Sequence, residues 1–251
     1  VLRLLTGLII FAFSTPAFAA TIDVQIRESP HGFMTMIVLV VGEIELGDTN
    51  DVERSIAGLP DDARREVEEV RFVLASSGGH LYEAMKLGRY ARSLGAVVVV
   101  PAPAFCDSAC VFVLAGGIHR HPDGAIRIHR PFYPSEPHVS PGEGLRQTLQ
   151  DVRGYFGEMN VPPDLADAMF STPPEQIRRL DDNELQRYRL NQTDFVYQEE
   201  RDLEMARNLG ISRMEYLAIR RDLHDRCGAY TRRPQELQVC VRDLLDDVMS
   251  R

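Results

Sequence analysis

Residues Phe72 to Val100 read FVLASSGGHLYEAMKLGRYARSLGAVVVV, and the change of hydrophobic period inside this stretch decides the fold. Its first four residues complete an apolar run from Glu68 to Ala75 (EEVRFVLA) with the β-branched and aromatic content of a strand. Ser76-Ser77-Gly78-Gly79 interrupts that run. From His80 onward Leu81, Ala84, Met85, Gly88, Ala91 and Leu94 recur at helical spacing, and Gly95 supplies a stop. Ala96 to Val100 (AVVVV) is a strand with no polar residue on either face, the composition of a sheet covered on both sides.

The same alternation extends outward. Met34 to Val41 (MTMIVLVV) is a buried strand by composition, residues 42–48 are a turn region, and Asp48 or Thr49 can cap a helix running to Leu59. After a break at Pro101 to Phe105, a short apolar helix is expected from Ser108 or Ala109 to Ala115, closed by Gly116-Gly117. Ala125 to His129 (AIRIH) alternates, with Ile126 and Ile128 on one face and Arg127 and His129 on the other. Pro131 ends it and holds Arg130 extended. Repeated strand, helix and strand predict an α/β fold with a largely parallel sheet. Residues 132–145, rich in Pro and Gly, read as a loop. Mostly helical patterns follow, including a Ser212-x-x-Glu215 capping box and Pro234 in the first turn of the last helix.

With 251 residues, 44% hydrophobic and 26% charged, the chain has the composition of a soluble globular protein. A net charge of −9 argues against nucleic acid or an anionic membrane as the main partner. The first residues differ from the rest. Arg3 precedes an apolar run from Leu4 to Phe13, and Ala17-Phe18-Ala19 has the small residues of a signal-peptidase site. The expectation is a signal peptide over 1–19, cleavage near Ala19, and a periplasmic or secreted mature chain. In an oxidising compartment the even count of four cysteines suggests disulfides. Local pairing, Cys106 with Cys110 and Cys227 with Cys240, is the simplest of the three connectivities. The absence of any C-x-x-C pair argues against zinc.

Three features carry candidate chemistry, and each has a plainer reading beside it. Ser108 falls where the chain leaves a strand and enters a helix, so its hydroxyl meets unpaired amides, the Ala109 N–H among them, and the positive dipole end. On its own it reads first as an N-cap. Gly78-Gly79 lets the backbone approach a ligand and aim amides outward, or simply makes a tight turn. His129 ends a strand and has the side chain of a general base, or serves as a structural histidine. Strand ends on one side of a parallel sheet gather, which would bring residues 78, 108 and 129 together. Weaker candidates are Lys86, the only lysine, as the base of a Ser–Lys dyad, and His119-x-His121 as part of a metal site. The first reads as solvated and the second as a solvated loop. The Arg pairs 64–65, 178–179, 220–221 and 232–233 read as solvated helix faces.

The run from Phe72 to Pro131 resembles the proteolytic subunit of the Clp protease and its relatives in the Clp/crotonase superfamily. The resemblance rests on the Ser-Gly-Gly turn before an amphipathic helix, the Ser-Ala stretch opening a helix that ends Ala-Gly-Gly, and the strand ending Ile-His-Arg-Pro. It covers about sixty residues, and Gly42 to Leu59 fits the family's opening unit more loosely. It implies a ClpP/crotonase-like spiral of ββα units over 20–195, with a helical C-terminal extension over 196–251. It further implies Ser108 as nucleophile, His129 as base, and Gly78, Ala109 and Gly79 as the oxyanion hole. The Cys-Asp-Ser-Ala-Cys version looks more like a group of exported Clp-like proteins.

One departure stands out. The family's acidic third residue falls, counting back from Tyr188-Arg189-Leu190, on Ser171-Thr172-Pro173-Pro174. Asp164, Asp167 and Glu175 are the nearby substitutes. A backbone carbonyl, Ser171 or Thr172 is the alternative support for His129. The resemblance implies peptide or protein substrates, no metal or nucleotide cofactor, and a homo-oligomer, a trimer or a hexamer. No P-loop marks an ATPase module in this chain. Rival expectations are an inactive ClpP-like binding or assembly protein, motivated by the missing acid, and a crotonase-type enzyme acting on acyl-thioesters.

Overall fold

The computed structural model describes residues 20–29, 32–131, 141–228 and 234–249. The signal peptide expected over 1–19 lies outside the described residues. An eight-stranded sheet forms the centre. Strand β1 (Thr21–Glu28), which no sequence expectation covered, pairs antiparallel with β2 (Met34–Ile44). Helix α1 (Asp48–Ala57) and the short α2 (Asp61–Arg65) lead to β3 (Glu69–Gly79), parallel to β2 with Val38 opposite Phe72. The expected helix is α3 (Leu81–Ser93), capped by the His80 ring accepting from the Glu83 N–H at 3.1 Å.

Strand β3 serves two neighbours in succession. Its first half pairs parallel with β4 (Val97–Val100), which in turn pairs with β6 (His119–Pro122). Its second half pairs at Ser76 with β5 (Phe105–Asp107), followed by β7 (Ala125–Ile128) and then by the antiparallel β8 (Arg178–Arg179). Helix α4 (Cys110–Gly116) connects β5 to β6 and is buried along its whole length. The fold is therefore α/β with a largely parallel sheet, as the alternating pattern predicts. Buried apolar residues from Met36 to Leu190 form one core cluster.

Several local expectations are corrected. The strand expected to stop at Ala75 continues to Gly79, because the Gly78-Gly79 backbone stays paired to Glu43 and Ile44 past an irregularity in register. His119-Arg120-His121 is part of a strand and not a solvated loop. Arg120 is fully buried there, and its guanidinium donates to the carbonyls of Ala115, Arg189 and Met159 at 3.1, 2.8 and 2.7 Å. The pair 178–179 is a strand edge beside β7 and not a helix face. Residues 141–145, expected in a loop, begin helix α5 (Pro141–Glu158).

Helix α6 (Asp164–Ser171) and α7 (Asp182–Arg187) complete the core region, and Arg189 in the Tyr188-Arg189-Leu190 turn takes a left-handed φ of 57°. Three helices follow, α8 (Phe195–Asn208), α9 (Arg213–Cys227) and α10 (Pro234–Met249). The Ser212–Glu215 capping box forms, with both reciprocal bonds present. Both locally paired disulfides are present, with S–S distances of 1.97 Å for Cys106–Cys110 and 2.01 Å for Cys227–Cys240. Disulfides of this kind persist in oxidising compartments. Among the described residues no helix is long and apolar enough to cross a membrane.

Candidate active site

Strands β3, β5 and β7 run parallel, so their C-terminal ends open on the same side of the sheet. That side carries Gly78, Ser108 and His129. Ser108 follows β5 directly and precedes the helix by two residues, since α4 starts at Cys110 with Ala109 as its cap. The N-cap reading of Ser108 is corrected accordingly. Its own N–H donates to the Arg127 carbonyl at 2.9 Å, across to β7. Its backbone adopts φ 51°, a left-handed conformation that costs a non-glycine residue about 1–2 kcal/mol. Such a conformation persists only where the surroundings over-determine it. Here they do so three times: through the bond to Arg127, through β5–β7 pairing, and through the Cys106–Cys110 bridge that brackets the residue. The strand thus turns sharply into the helix at Ser108 and holds its side chain out of the regular path of either element.

Gly78 (φ 98°) packs directly on this turn. A Cβ on Gly78 would stand 2.8 Å from the Ser108 Cβ and 2.9 Å from the Ala109 nitrogen. Gly79 (φ 130°) is confined on its other side, where a Cβ would overlap the Ile44 carbonyl oxygen. Among the described residues nothing accepts a hydrogen bond from the Ala109 amide, which leaves that donor available beside Ser108. The Gly78 amide is engaged, donating to the Oγ of fully buried Ser76 at 3.1 Å. Ser76 was not among the sequence candidates. Its position two residues ahead of the glycine in Ser-Ser-Gly-Gly is the signal that a serine–backbone turn bond offers.

His129 comes off the end of β7, and its Nδ1 lies 2.8 Å from the Arg130 carbonyl oxygen. A carbonyl only accepts, so Nδ1 carries the proton in this contact and neutral His129 keeps its lone pair on Nε2. The Arg130 N–H in turn donates to the Thr172 carbonyl at 2.8 Å, fixing the segment that supports the ring. Of the groups considered as support for His129, the one in hydrogen-bond contact with its ring is a backbone carbonyl, that of Arg130. Asp164 pairs instead with Arg187 at 3.0 Å, Asp167 with Arg153, and Glu175 is exposed. The hydroxyls of Ser171 and Thr172 both donate to the Ala168 carbonyl. Lys86 is exposed and donates to the Asn50 Oδ1 at 2.7 Å, away from this arrangement.

Asp107, immediately before Ser108, is a buried carboxylate that sequence reading passed over. It accepts from Arg127 Nε at 2.6 Å and Nη2 at 2.7 Å. Burial pushes its carboxyl above the usual range, while the bond to Arg127 and the charges of Arg127 and His129 pull it partly back. Among the described residues no group of His, Cys, Asp and Glu has the arrangement of a metal site.

No protein-family model matches the chain. No curated protein matches it either. Solved structures similar to it include a variant of the 1510-N membrane-bound stomatin-specific protease, at 15% identity and a TM-score of 0.47, covering 61% of this chain and 75% of that one. They also include a variant of ClpP1 from Listeria monocytogenes, at 16% identity and a TM-score of 0.46, covering 62% of this chain and 88% of that one.

Proposed function

We propose that the protein is an exported, ClpP-like serine hydrolase that cleaves peptides with Ser108 and His129. The observation that carries this reading is the strained turn at Ser108, pressed by Gly78 and flanked by the unengaged Ala109 amide. An unremarkable structural serine has no need of a left-handed backbone held from three sides. His129 Nε2 takes the Ser108 proton, and the Oγ attacks the peptide carbonyl. The Ala109 N–H stabilises the oxyanion, joined by the Gly79 amide or, once substrate competes with Ser76, by that of Gly78. His129 passes the Ser108 proton to the departing amine as the C–N bond breaks. It then takes a proton from the water that attacks the acyl carbonyl and returns it to the Ser108 Oγ as the ester bond breaks. The Phe72–Pro131 resemblance supports the same assignment.

The proposal includes a mature chain from Ala20, a ClpP/crotonase-like domain to about residue 195, the helical extension over 196–251, and assembly into a trimer or hexamer. N-terminal sequencing of fractionated protein and mass measurement in solution test these parts.

A fluorophosphonate probe tests the chemistry. The expected result is covalent labelling that disappears in both Ser108→Ala and His129→Ala. A second reading, an inactive binding protein on the same scaffold, is favoured by the Gly78 amide already bound to Ser76 and by a histidine supported only by a carbonyl. Absence of labelling in folded, oxidised protein decides for that second reading.

A further inference from the structure

The proposed pair lacks a carboxylate on its imidazole, yet a carboxylate lies buried one residue before the nucleophile. Asp107 and Arg127 meet fork to fork, at 2.6 and 2.7 Å, across the adjacent strands β5 and β7. The Arg127 guanidinium also lies 4.9 Å over the Phe105 ring. From its main chain, the same Arg127 accepts the Ser108 N–H at 2.9 Å. Two residues further on, just past the end of the strand, stands His129. One residue therefore holds the nucleophile's turn by backbone and by side chain, from the strand that delivers the base. Stability alone is a poor account of the pair, since an ion pair whose cation is part-exposed adds little and a buried one is often no more stabilising than a well-packed apolar pair.

We propose that Asp107 and Arg127 are positioning residues that lock β5 to β7 and so align Ser108 with His129, in place of a carboxylate on the ring. This rests on the hydrolase reading. The bidentate geometry matters, because a lysine keeps the charge but not the planar fork.

The experiment is saturation kinetics of fluorophosphonate modification of Ser108 in the full chain. Wild type is compared with Asp107→Asn, Arg127→Lys and the double variant, with thermal midpoints recorded for each. Misplacing a reacting group costs on the order of 10- to 100-fold in rate. That loss is expected in the maximal modification rate of each single variant, with the half-saturating probe concentration unchanged. The double variant is expected to be no slower than the slower single, because the same contact is lost. Wild-type rates in the folded single variants, or fully multiplicative losses in the double, overturn the clamp. A lowered thermal midpoint with an unchanged maximal rate makes the pair structural only and also overturns it. Should Asp107→Asn not fold, Arg127→Lys decides alone. An unlabelled wild-type protein overturns the hydrolase reading itself, an outcome distinct from all the others.

Discussion

Gly78 and Ser108 are in such close contact that the missing side chain of one is the space occupied by the other: a Cβ at 78 would lie 2.8 Å from the Ser108 Cβ. Replacing Gly78 by Ala also meets the Asp107 carbonyl at 2.7 Å, so the turn itself must shift. Gly78→Ala is expected to abolish probe labelling of Ser108. Gly47→Ala is the control, because Gly47 has a similar φ of 105° with nothing within 4 Å of its Cβ position. Equal labelling of the two variants would show that crowding at Ser108 is irrelevant to reactivity.

The Cys106–Cys110 bridge encloses Ser108, the proposed nucleophile, whereas Cys227–Cys240 joins α9 to α10. Opening the first by Cys106→Ser/Cys110→Ser is expected to slow labelling about tenfold or more, a change of roughly 1.4 kcal/mol in barrier. Opening the second by Cys227→Ser/Cys240→Ser is expected to leave the labelling rate unchanged. It should loosen the tail helices, for which a loop of this size contributes about 3 kcal/mol in the chain-entropy account. Labelling rates and limited proteolysis of the two variants separate these outcomes.

Arg120 is buried and satisfies three carbonyls, with Asp194 3.8 Å away. Arg120→Met leaves those three buried carbonyls without their donor and removes the second of two cations beside Asp194, which keeps Arg92 at 2.6 Å. The expected destabilisation is about 3–5 kcal/mol, read as a fall in thermal midpoint on the order of 10 °C. An unchanged midpoint would mean that the apolar replacement compensates in full.

Asp194 gives the acid side of the stability profile a definite sign. Burial pushes its carboxyl up, but hydrogen bonds from Asn160, Arg92 and the Tyr197 N–H outweigh that and hold it below the usual carboxylate range. The folded form therefore binds its proton less readily than the unfolded chain does. Its contribution is fully present above the ordinary aspartate value and is lost as pH falls through the lower folded value. Asp194→Asn is expected to be less stable near neutrality, with the difference from wild type shrinking as the solution is acidified. Denaturant midpoints measured for both proteins across that range check the convergence.

Much of this architecture is legible in the sequence because burial on both faces leaves a strong mark. Val97 to Val100 and the Leu81 to Leu94 spacing announce a covered parallel sheet and its helix. Strand ends put Gly78, Ser108 and His129 on one side of it, whereas their assignment as oxyanion hole, nucleophile and base came only from the Phe72–Pro131 resemblance. What escaped reading has physical reasons. β1 is the exception, since Ile22, Val24 and Ile26 alternate with polar residues and its period of two was legible. Arg120 is a charged residue in the core, stabilised by carbonyls that are distant in sequence, and no local pattern announces such partners. The Asp107–Arg127 bond crosses between strands 20 residues apart, and one-dimensional spacing does not register it. The His129 support is a carbonyl, a group every residue possesses, so no side-chain motif marks it.

The Arg120 site has a consequence for the order in which the chain is made. Its guanidinium sits on β6, yet its acceptors come from residues 115, 159 and 189, and its nearest carboxylate from residue 194. A nascent chain that has made only β1 to β7 offers the Arg120 guanidinium the Ala115 carbonyl alone, until residues 159, 189 and 194 arrive. Completion of the core is therefore tied to residues made well after β7, and a chain cut short before Met159 would leave Arg120 with one of its three acceptors.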